Sequence, residues 1–167
     1  YKEIIKSYSK GELDLFAEML ASLVIELEKG EIDVLGDLMM RMGFGADSLG
    51  QYFTPNHISS LVAKLSITPD LTEKQIKEHG TIRLTEPSVG GGSLVLSVIN
   101  KLKELGYNYQ QVLEVVCGDI DISALHMTYI QLSLLGVKAK VQHTNALSFE
   151  IWSDWYTPAC ILDGGLI

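Results

Sequence analysis

The chain has 167 residues, 47% of them apolar and 20% charged, the balance of a soluble globular protein able to bury one core. Thirteen Lys and Arg against 21 Asp and Glu give a net charge of -8. That argues against this chain gripping duplex DNA by itself, since phosphate binding depends on clustered basic side chains. The basic residues are scattered (Lys64, Lys74, Lys77, Lys101, Lys103, Lys138, Lys140), with no arm or stripe. Any DNA contact is expected from another domain or subunit. The first residue is Tyr1 and not Met, so the chain reads as an ordered fragment or a processed piece. Cys117 and Cys160 lie among apolar residues without C-x-x-C spacing, which reads as two buried reduced thiols and no metal site. No secretory pattern opens the chain and no apolar run reaches membrane-spanning length, so a cytoplasmic protein with no membrane partner is expected.

In chain order, residues 13–28 place apolar side chains at Leu13, Phe16, Ala17, Leu20, Leu23, Val24 and Leu27, a helical period stopped by Gly30. Residues 32–42 predict a second helix, whose methionines read as packing. Thr54 and Pro55 predict an N-cap and first position for a third helix through Leu61, Val62 and Leu65. From Gly80 the pattern alternates: strand 81–85, helix 93–105, strand 113–117, helix 123–135, strand 139–143 and a fourth strand at 159–162. Strands separated by helices indicate βαβ units, hence an open, doubly wound α/β sheet. A helical N-terminal extension over residues 1–49 would precede a core over 50–167.

Ligands of such sheets bind at the carboxyl ends of the strands, near the point where strand order reverses. Three turns fall there. Glu86-Pro87-Ser88-Val89-Gly90-Gly91-Gly92 lets the backbone turn sharply and approach a ligand without a Cβ in the way. Gly90 and Gly92 fit G-x-G, but Val95 stands where a dinucleotide fingerprint needs its third glycine. The acidic Glu86 ahead of the loop suits the cationic amino acid end of S-adenosylmethionine and would repel a pyrophosphate. Asp119 is placed to accept ribose hydroxyls, while Asp121 suits a cap or a group supporting the site, and Ser123 can also cap the helix it opens. Asn145 reads equally as an adenine contact or a turn former. His143 has no nucleophile or metal partner and is taken as structural.

With the upstream Gly50-Gln51-Tyr52-Phe53-Thr54-Pro55 segment, these turns resemble, in this order, the N6-adenine DNA methyltransferase family. The likeness is nearest to the modification subunits of type I restriction-modification systems. It runs from about residue 50 to 147 and departs in having Glu86 for the commoner Asp and Asn145 for Asp. The resemblance implies a Rossmann-like class I S-adenosylmethionine-dependent methyltransferase core with a partial or reduced sheet. Tyr52, Phe53 and Thr54 would cover the cofactor, Glu86, Ser88, Gly90 and Gly92 would surround its amino acid end, Asp119 would hold the ribose and Asn145 the adenine. It also implies DNA as substrate and a specificity or other partner subunit; apolar surface left by an unfinished sheet would favour a homo-oligomer.

The family's Asn/Asp-Pro-Pro-Tyr/Phe motif is absent. Its polar side chain and a proline carbonyl would accept hydrogen bonds from the target amine, and its ring would stack on the extruded base. Two stretches compete for the place. Asp163-Gly164-Gly165-Leu166 would follow the expected fourth strand, making Asp163 a weak catalytic candidate. Asp154-Trp155-Tyr156-Thr157-Pro158 offers aromatics in the wrong order, and packing is the better reading of Trp152, Trp155 and Tyr156. Two functions follow: the cofactor-binding part of a DNA adenine methyltransferase, or a non-catalytic accessory module of a modification or anti-restriction system.

Overall fold

The computed structural model describes residues 2–30, 33–43 and 54–164. A helical N-terminal part comprises α1 (Lys2–Ile5), α2 (Lys10–Gly30) and α3 (Val34–Arg41). Two further helices follow, α4 (Asn56–Ser66) and α5 (Pro69–His79). The alternating region is β1 (Ile82–Glu86), α6 (Ser93–Glu104), α7 (Tyr109–Val112), β2 (Leu113–Asp119), α8 (Ile122–Leu134) and β3 (Lys138–Asn145). It ends in β4 (Glu150–Tyr156) and α9 (Pro158–Leu162).

The sheet order is β1-β2-β3-β4, with β1, β2 and β3 parallel. Both crossovers step the same way, so their right-handedness sends α6 and α8 to one face. There Ile82, Leu113, Val115, Cys117, Ala139 and Val141 meet Val95, Ile99, Leu102, Leu125 and Leu132 in one core. The other face is polar. Arg83 pairs with Glu114 at 3.4 Å, and Asp154 takes Lys140 at 3.0 Å and the Gln142 amide at 2.8 Å. Parallel sheets are usually apolar on both faces because helices cover both. Here one face carries cross-strand polar pairs suited to water.

Three expectations are corrected. Residues 159–162 are helical, not a strand: Pro158 stands in the first turn of α9, where its missing N–H costs nothing. The fourth strand lies earlier, at Glu150–Tyr156, and runs antiparallel to β3 after a short turn. Strand order therefore shows no reversal among the described residues, and the doubly wound sheet is not seen there. At α4 the cap is Pro55 without a side-chain bond, one residue later than expected, so Thr54 does not cap it. Asp121, one of two residues expected to cap α8, does so by accepting Ser123 N–H at 2.8 Å; Ser123, the other, lies inside the helix, which starts one residue earlier. α5 was not among the expected helices, although Thr68 accepts Leu71 N–H, Pro69 follows it and Gly80 closes the helix at φ 76°.

Thr157 joins α9 to the sheet. Its buried hydroxyl donates to Val137 O at 2.6 Å and accepts from Ala139 N at 3.0 Å. The hydroxyl is thereby diverted from capping its own helix. Thr157→Val preserves shape but strands both partners, and should cost about 1–2 kcal/mol in urea unfolding. An unchanged midpoint would show that these bonds add nothing.

Candidate functional site

A cavity of about 540 Å³ opens at the carboxyl ends of β1, β2 and β3, within the size range of small-ligand pockets. Thr54, Glu86, Ser88, Gly90, Asp119 and Asn145 line it. Six of the residues singled out from the sequence therefore converge on one space. Gly92 is not in the lining but shapes it, at φ 104° as the N-cap of α6. Tyr52 and Phe53 lie outside the described residues.

The glycine loop between β1 and α6 is held by bonds to the backbone of Val89, Gly90 and Gly91. Val89 N–H donates to Gly118 O at 2.8 Å, and Gly90 N–H to Asp119 Oδ2 at 2.8 Å. The Thr128 hydroxyl donates to Gly90 O at 2.7 Å, and Gln131 Nε2 to Gly91 O at 2.7 Å. Gly90 and Gly92 take positive φ, where a side chain would be strained. Gly91 is glycine for another reason: a Cβ there would collide with the Asp33 carboxylate. Gly91→Ala should therefore destabilise the fold by about 1–3 kcal/mol through crowding. Adding Asp33→Ser should recover part of the loss in denaturant titrations. Strictly additive effects would refute the collision.

Asp119 is buried, and both its oxygens are engaged, Oδ2 by Gly90 N–H and Oδ1 by Asp121 N–H at 2.9 Å. Each carboxylate oxygen keeps a further lone pair, so hydroxyl donors can still be accepted. Asn145 spends its carbonyl oxygen on the turn, accepting Leu147 N–H at 3.0 Å and Ser148 N–H at 3.2 Å. Its amide nitrogen is the atom left to face a ligand. Glu86 accepts Ser88 N–H at 3.1 Å, which draws the loop's first turn around its carboxylate. Directly behind the loop, burial pushes the Cys117 thiol up to about 12, with Glu86 and Asp119 adding to the shift. That thiol is inert packing.

Several site residues escaped the sequence reading. Thr128 and Gln131 are fully buried on the inner face of α8, in line with Ala124, Leu125 and Leu132. Two polar residues breaking an apolar helical face was the available signal. Ser93 Oγ donates to Ser59 Oγ at 2.7 Å, tying α6 to α4 beneath the cavity. Asp33, from the loop before α3, also lines the cavity.

Neither stand-in for the missing catalytic motif reaches it. Asp163 closes α9 and pairs with Lys138 at 2.7 Å, at the amino end of β3. Asn145 lies seven steps along the strand from Lys138, about 23 Å. Asp163 is at the wrong end of the sheet. Asp154 is held on the polar face by Lys140 and Gln142, while Trp155 packs on the core and stacks with His126 at 5.0 Å. His143 packs against Trp152 at 4.5 Å and contacts Ile120 O at 3.1 Å, in keeping with a structural role.

A family model described as N-6 DNA methylase matches residues 31–158. The chain belongs to the N-6 DNA methylase family. The match spans most of the chain, and covers α3, the glycine loop and all four strands of the sheet. DNA adenine methylation is thus the activity at family level. A search of the curated proteins finds no match. Among the described residues, no three or more His, Cys, Asp or Glu side chains are placed to hold a metal, and no helix is long and apolar enough to cross a membrane.

Proposed function

We propose that the cavity binds S-adenosylmethionine, and that the chain is the donor-binding part of a DNA adenine-N6 methyltransferase of restriction-modification type. The core would be of the Rossmann-like class I kind. The charge of the lining carries this reading. Asp33, Glu86 and Asp119 border the space, and no Lys, Arg or His is found among its described lining residues. A ligand with a cationic ammonium and sulfonium suits such walls, whereas a dinucleotide pyrophosphate would meet three carboxylates and no counter-charge.

Glu86, Ser88 and Gly90 would meet the amino acid end, Asp119 the ribose and the Asn145 amide nitrogen the adenine, with Thr54 in the cavity wall. The bound cofactor would supply an electrophilic methyl group for the target amine. Because the described residues bring no Asn/Asp-Pro-Pro-aromatic apparatus and the net charge is -8, contacts to DNA are assigned to another domain or to a specificity or partner subunit.

Titration calorimetry with S-adenosylmethionine and, separately, with NAD tests the reading. Saturable binding of the first and none of the second is expected. NAD binding without S-adenosylmethionine binding would overturn it.

A further inference from the structure

Asp33 precedes α3, in the N-terminal helical part, yet its side chain reaches the methyl-donor cavity and is only 3% exposed. Both of its hydrogen bonds end on one oxygen. Oδ1 accepts Gly36 N–H at 2.8 Å and Gln131 Nε2–H at 3.0 Å. Among the described residues nothing donates to Oδ2. Nor is Oδ2 sealed away, since Ser133 Oγ is the fully enclosed side-chain atom that lacks a partner there.

Two glycines from separate elements make room for this carboxylate. A Cβ on Gly36 or on Gly91 would strike it. Gly36 sits inside α3, where glycine costs about 1 kcal/mol relative to alanine, so the space is kept at a cost to the helix. Burial pushes the Asp33 carboxyl above its ordinary range; bonds from Gln131 and Gly36 oppose the shift and Asp37 adds to it. A buried carboxylate with one unpaired oxygen at a cavity wall is costly unless a positive group meets it.

We propose that Asp33 is a cofactor-binding residue, its carboxylate meeting the ammonium of the ligand's amino acid end where that end lies over Gly91. The inference rests on the S-adenosylmethionine reading. It makes the N-terminal helical part a wall of the site, with Asp33 facing the ammonium alongside Glu86.

The test uses Asp33→Asn in the full chain. Asparagine keeps an Oδ1 acceptor for both existing bonds, removes the charge and puts an amide donor where Oδ2 stood. Affinities are measured for S-adenosylhomocysteine and for 5′-methylthioadenosine, which shares the nucleoside and thioether but lacks the amino acid. The substitution should weaken S-adenosylhomocysteine about tenfold or more and leave 5′-methylthioadenosine within about twofold. Unchanged S-adenosylhomocysteine affinity would overturn the proposal and leave Asp33 a structural latch. Equal losses for both ligands would also overturn it, as a general distortion of the loop. A wild-type chain that binds neither ligand would overturn the S-adenosylmethionine reading itself. Should the asparagine amide crowd Gly91 and prevent folding, Asp33→Ser retains a helix cap without the charge and gives the same readout.

Discussion

Replacing Gln131 with leucine is expected to destabilise the fold by about 3–5 kcal/mol, although leucine fills nearly the same volume. The cost comes from what is left behind. Gln131 Oε1 accepts Val34 N–H at 2.9 Å and Leu35 N–H at 3.3 Å, while Nε2 donates to Asp33 Oδ1 and Gly91 O. Leucine would strand two amides, one carbonyl and a buried carboxylate at once. Each unsatisfied neutral group costs about 1–3 kcal/mol, and partial relaxation brings the sum into the stated range. Urea unfolding gives the magnitude. Hydrogen exchange adds a local readout, since the Val34 and Leu35 amides should lose protection before the sheet does. A loss under about 1 kcal/mol would mean that water replaces the side chain and that it is no bolt.

Asp119→Ala is expected to lower S-adenosylmethionine affinity by at least about tenfold, and stability by about 2–3 kcal/mol. Two effects combine. The ribose would lose its carboxylate acceptor, and the glycine loop would lose the anchor on Gly90 N–H while Asp121 N–H is also released. Asp119→Asn separates them, because it keeps one carbonyl acceptor and presents a donor where the other N–H points. It should retain more stability than alanine while still binding the cofactor weakly. Calorimetry paired with denaturant titration checks both variants. Wild-type affinity in Asp119→Ala would remove Asp119 from the site.

The two variants also separate what is near the ligand from what holds the wall. Gln131 contacts the back of the loop and the N-terminal part, while Asp119 stands in the cavity lining. If loop geometry governs affinity, Gln131→Leu should weaken binding as well, through Gly91. Asp33→Asn should not disturb that geometry.

Local signals made much of the architecture legible in the sequence. The βαβ alternation, the turns at the strand ends and the cap at Asp121 depend on residues within a few positions of one another. Glycine tolerates φ 54° and 104° wherever the chain must turn so sharply, and an apolar run of strand length buries itself against helices. The cavity lining followed from these, because carboxyl-end turns of parallel strands gather at one edge. The polarity of the second sheet face was not foreseen, nor was the antiparallel β4. Residues 150–156 mix aromatic and charged residues, and only pairing with β3 makes them a strand.

The glycine loop shows where the two kinds of information part. Its composition alone marked a sharp turn with an acidic entrance, since backbone freedom and charge belong to the residues themselves. Tertiary structure decided which side chains hold that turn, Thr128 and Gln131 from α8 beyond the next strand, and it set the Asp33 carboxylate against Gly91 from more than fifty residues upstream. It also decided against Asp163, which the chain order put near the cavity and α9 carried to the far end of the sheet. A hydrogen bond needs its partners within about 3 Å, and at long sequence separation the fold alone brings them that close.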